Sequence, residues 1–92
     1  MRRRAGYRQK GGGLPFKVAL TSTMWEALEV VGAKEPIGRR RLAAEMNLTV
    51  AEARNVLEAL EYQKLVQPTP KGHELTIDGR TVLDFYASKR SR

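Results

Sequence analysis

Cysteine is missing from this chain of 92 residues, which also holds only one histidine, one tryptophan and two phenylalanines. Without cysteine there is no disulfide, zinc knuckle or thiol nucleophile, and a lone imidazole, His73, makes no metal site; packing in a short strand is its expected role. No stretch approaches the ~18 consecutive apolar residues needed to span a bilayer. The arginine-rich start lacks the apolar core of a signal peptide, so a soluble, cytoplasmic chain with no membrane partner is expected. Gly11-Gly12-Gly13 has neither a preceding strand nor a following Gly-Lys-Ser/Thr, so it is no phosphate loop. Paired carboxylates such as Glu58 and Glu61 fall on a solvated helix rather than in a cleft. Neither an enzyme nor a cofactor is expected.

Acidic residues are missing from positions 1–17, which carry Arg2, Arg3, Arg4, Arg8, Lys10 and Lys17 and leave only +1 of the formal +7 for the rest of the chain. The basicity belongs to an arm rather than to a folded body. Residues 1–13, ending in three glycines, read as a flexible basic arm able to hold phosphates without reading sequence, and residues 14–92 as one domain. Leu14, Phe16, Val18 and Leu20 then alternate. This predicts either a short strand beside a hairpin or an extended segment on a second subunit.

Four helices and one hairpin are predicted beyond Leu20. Ser22 or Thr23 caps a first helix with Met24, Ala27, Leu28 and Val31 on its buried stripe, and Gly32 is expected to end it. Trp25 reads as a core or dimer-contact aromatic, because it has no basic neighbour with which to stack a base. Residues 37–66 then have helix-turn-helix spacing. Ile37, Leu42, Ala43 and Met46 share a buried face of one helix, Asn47-Leu48 makes the turn, and Thr49 with Glu52 forms a capping box. That box opens a helix with Ala53, Leu57 and Leu60 inside and Val56 at the edge. The turn Thr69-Pro70-Lys71-Gly72 joins two short strands, and Leu75-Thr76-Ile77-Asp78-Gly79-Arg80 leads into a last helix.

The order Leu48, Thr49, Ala53, Leu57, Leu60, Lys64-Leu65-Val66, then a proline-containing hairpin and Leu-Thr-x-x-Gly-Arg, resembles the winged helix-turn-helix superfamily of marR-like, padR-like and arsR-like regulators. The likeness covers residues 21–88, and Lys64 stands where those proteins usually have glycine. It implies a mainly α fold with a small β wing that binds double-stranded DNA, nucleoid-associated in a prokaryote, as a dimeric transcriptional regulator.

On that resemblance the helix from Val50 to Gln63 enters the major groove, with Thr49, Val50, Arg54 and Asn55 toward the bases. Asn55 suits adenine, Arg54 guanine or a phosphate, and Val50 a thymine methyl. Arg54 equally suits an ion pair with Glu58 one turn on. Arg39, Arg40 and Arg41, placed against the macrodipole at a helix start, and Lys71 at the wing tip are expected on the DNA backbone. Val82, Phe85 and Tyr86 offer more apolar surface than one small core consumes, which points to a homodimer contact. The alternative is a protein-interaction module: Glu52, Glu58 and Glu61 make the reading helix acidic and fit a protein partner, with nucleic acid held by the arm alone.

Overall fold

In the computed structural model, residue 14 and residues 16–90 are described. The chain runs α1 (Ser22–Lys34), α2 (Arg39–Met46), α3 (Val50–Tyr62), β1 (Val66–Thr69), β2 (Gly72–Leu75) and α4 (Ile77–Arg90). This is the mainly helical winged-helix architecture that the sequence resembles.

Each helix starts where a side chain can satisfy its free amides. The cap of α1 is Thr21, whose hydroxyl accepts from the Met24 amide at 3.1 Å, one residue before the earlier of the two expected positions. Nor does Gly32 end α1. Pro36 does, by forcing Glu35 into extended backbone (φ −62°, ψ 144°). Gly32 serves packing instead: a Cβ there would come within 2.7 Å of Leu83 on α4. The capping box of α3 forms in full, with Glu52 N–H donating to Thr49 Oγ1 at 3.0 Å and Thr49 N–H donating to Glu52 Oε1 at 2.8 Å.

Both helix exits of the helix-turn-helix use left-handed backbone. Asn47 (φ 59°, ψ 45°) closes α2 with its amide on the Ala43 carbonyl, a conformation asparagine tolerates well. Lys64 (φ 63°) does the same after α3. The position wants glycine for a backbone reason, and a lysine there accepts roughly 1–2 kcal/mol of local strain.

Ile37 is buried, though not on α2 as expected. It lies two residues before that helix and exchanges two backbone hydrogen bonds with His73 of β2 (3.0 and 2.8 Å), adding an isolated antiparallel bridge to the wing. The wing is antiparallel, pairing Val66 with Leu75 and Thr69 with Gly72 around Pro70-Lys71. Gly72 (φ 140°) is required, because a Cβ would sit 2.6 Å from the Ile37 carbonyl carbon.

The Leu-Thr-x-x-Gly-Arg string acquires a mechanical meaning. Thr76 Oγ1 accepts from the Gly79 amide at 3.0 Å and donates to the Lys64 carbonyl at 2.6 Å, tying the start of α4 to the exit of α3. A side chain at Gly79 would overlap the Leu65 carbonyl oxygen.

Leu28, Val31, Ile37, Leu42, Leu57, Leu60, Leu65, Val66 and Val82 form the fully buried centre, and Val56, 7% exposed, lies at the edge of the buried stripe of α3. Leu14, Phe16, Val18 and Leu20 pack half-buried against this core in an extended, unpaired segment. The Gln63 side-chain amide both donates to and accepts from the Ala19 backbone, at 2.7 and 2.8 Å, so it takes the place of a neighbouring strand. The segment therefore covers its own domain.

Gly79→Ala is expected to lower the unfolding free energy by about 3 kcal/mol, since the clash is with backbone and cannot relax by rotamer change. A denaturant titration of the two proteins measures it. A loss below roughly 1 kcal/mol would mean α4 can shift away from the wing at little cost.

Candidate nucleic-acid interface

The exposed surface of α3 is set by its buried side. With Ala53, Val56, Leu57 and Leu60 inward, Ala51, Asn55 and Glu58 recur four and three residues apart on the opposite, exposed face, flanked by Arg54 and Val50. Thr49 sits at the cap, its oxygen accepting from Glu52, its own O–H still able to donate. Arg54 forms the ion pair expected as its alternative role: its Nε lies 3.9 Å from Glu58 Oε2. Such an exposed pair contributes roughly 0.3–0.5 kcal/mol, so it does not hold the helix together.

The three arginines of α2 are not equivalent. Arg41 reaches Glu45 at 3.9 Å, and Glu45 is shared with Lys34 at 3.7 Å. Arg39 and Arg40 are exposed and have no acidic partner among the described residues. The preceding Gly38 contributes no capping side chain, so the first amides of α2 and the two arginines present an uncompensated positive surface. Lys71 stands exposed on the turn of the wing. Arg2, Arg3, Arg4, Arg8 and Lys10 lie outside the described residues.

The carboxylates of α3 have local roles. Glu52 accepts the cap amide, Glu58 pairs with Arg54, and Glu61 is half-buried. His73 behaves as a wing residue, its backbone bonded to Ile37 and its Nδ1 enclosed without a hydrogen-bond partner.

The expected contact surface of α4 needs one correction. Val82 is 0% exposed, inside the monomer core where no second copy reaches it. Phe85 and Tyr86 remain half-exposed, and Tyr86 meets Trp25 edge-on at 5.4 Å between ring centroids. Val18, Leu20, Trp25 and Tyr86 line an open cleft of about 570 Å³. Trp25 is thus engaged with α4.

Glu35 was not legible as a site-forming residue. Its Oε1 accepts from the Leu75 amide at 2.7 Å and its Oε2 lies 3.5 Å from Arg80 Nη2, so one carboxylate joins the end of α1, the second wing strand and α4. Arg80 was visible in the Leu-Thr-x-x-Gly-Arg string. Its partner, about half the chain away, carried no local signal.

The family described as CggR N-terminal DNA binding domain matches residues 21–88. The chain is 31% identical over 70 residues to the central glycolytic genes regulator of Priestia megaterium, a stretch that covers 76% of this chain and 20% of that protein. The crystal structure of a probable transcriptional regulator from Pseudomonas aeruginosa matches at a TM-score of 0.68 with 29% identity, over 78% of this chain and 60% of the other. The chain thus spans about a fifth of the length of the Priestia regulator. No helix among the described residues is long and apolar enough to cross a membrane.

Glu35→Ala should leave the Leu75 amide and Arg80 without their acceptor and cost about 1–3 kcal/mol. Amide exchange should show the opening confined to β2 and the start of α4, with α3 protected as before. Uniform loss of protection would make Glu35 a global rather than a local clamp.

Proposed function

The chain belongs to the family of the CggR N-terminal DNA-binding domain, and from that premise we propose that it is a regulator's operator-reading module, working on duplex DNA in the cytoplasm as a homodimer. Helix α3 lies in the major groove. Thr49, Val50, Arg54 and Asn55 face base edges, while the uncompensated Arg39 and Arg40 meet phosphates, joined by Lys71 from the wing. Arg41 contributes less, being shared with Glu45. The basic residues of positions 1–13 add attraction that reads no sequence.

One observation carries this reading above protein docking by an acidic helix. Glu52 and Glu58 of α3 are already engaged, at the cap and with Arg54, whereas Arg39 and Arg40 of α2 have no acidic partner among the described residues. A homodimer through Phe85 and Tyr86 is supported by the half-exposed aromatics that α4 leaves beside Trp25. A twofold pair of such domains would set two half-sites about 34 Å apart.

The test is selection from random duplex DNA at near-physiological salt, comparing the chain with variants. Arg39→Ala with Arg40→Ala should weaken binding to all sequences alike and flatten the log affinity against log salt slope by about 1.8. Asn55→Ala should instead relax one column of the selected motif, by about 5- to 150-fold in discrimination. A motif unchanged by Asn55→Ala would remove that residue from the reading set. Failure of the chain to enrich any motif would leave protein docking as the better account.

A further inference from the structure

On the exposed face of α3 a cation and an anion, Arg54 and Glu58, stand a single turn apart, and the contact between them has a direction. Glu58 Oε2 approaches Arg54 at Nε, 3.9 Å away, and both side chains are more than half exposed. At that separation the pair is electrostatic rather than hydrogen-bonded, and with the carboxylate on the Nε side both Nη groups, the pair whose fork matches guanine O6 and N7, keep their donors. The carboxylate also stands on the outermost line of the helix with Ala51 and Asn55, opposite the buried stripe. There it opposes a phosphate that approaches Arg54, while a cytosine amino group remains an acceptable neighbour. An arginine alone on this face would bind phosphates of every sequence equally well.

On these grounds, and resting on the placement of α3 in the major groove proposed above, we propose that Glu58 is a specificity-determining residue. It positions the Arg54 fork for a guanine edge and subtracts the sequence-independent attraction that Arg54 would otherwise supply. The net acidity of the reading helix then has a function, because nonspecific affinity is left to Arg39, Arg40, Lys71 and the basic residues of positions 1–13, away from the bases.

Glu58→Gln keeps the shape and a good helix former, so it separates charge from packing. With the full chain and random-sequence duplex, the variant should bind more tightly than wild type at low salt. Its salt slope should steepen by about 0.9, the signature of one added phosphate contact. In the selected motif, guanine preference at one column should fall about tenfold. In an Arg54→Ala background the same substitution should change neither slope nor motif, because Glu58 acts through Arg54.

Unchanged slope and motif for Glu58→Gln, while wild type still selects a site, would overturn the role of Glu58 and leave the DNA-reading proposal intact. An equal effect with and without Arg54 would show plain charge repulsion and overturn the positioning role. A wild-type chain that selects no site would overturn the underlying reading, and this inference with it.

Discussion

Backbone-to-backbone contact at the wing holds the elements in their places. Ile37 and His73 exchange both of their peptide hydrogen bonds, and Gly72 allows the two segments to come that close. A second contact of the same kind sets Gly79 against the Leu65 carbonyl. Between them these contacts tie the α1–α2 connection, the hairpin and α4 into one body. An eight-residue α2 and a two-stranded sheet are too small to be stable alone, so their shared edge supplies what their lengths do not. Glu35 adds a polar clamp at the same junction by accepting from Leu75 and meeting Arg80.

Charge is partitioned in a way that suits a reader of DNA. Among the described residues none with a polar or charged side chain is buried, so the core is uniformly apolar and charge acts at the surface. There, Glu52 and Glu58 of α3 are matched within their own helix, and Glu45 of α2 takes up Arg41 and Lys34. The start of α2 is left positive, where helix amides and arginines reinforce each other toward an anion. A phosphate there, as in the function proposed above, would resolve the conflict between Arg39, Arg40 and the helix N-terminus.

Much of the fold was legible because its signals are local. The Thr49–Glu52 box, the α3 stripe, the Pro70-Lys71 turn and the threonine–glycine opening of α4 are each contained within a few residues, and each formed as read. The readings that shifted depended on distant partners. Gly32 looked like a helix stop because glycine breaks isolated helices, yet Leu75 and Leu83 occupy the space where its side chain would go. Val82 looked available on a wheel of α4 because the wheel does not show which flank meets α1.

Local sequence was enough for the order of the elements, the capped start of α3 and the concentration of positive charge in positions 1–17. Periodicity, capping chemistry and charge counting suffice for these, since each depends on neighbours within one or two turns. Long-range packing was needed to assign Ile37 to the wing, to fold residues 16–20 over their own core through Gln63 and to make Glu35 the joint of three elements. These outcomes depend on which groups meet across intervening helices and strands, and no local pattern encodes a partner so far away along the chain.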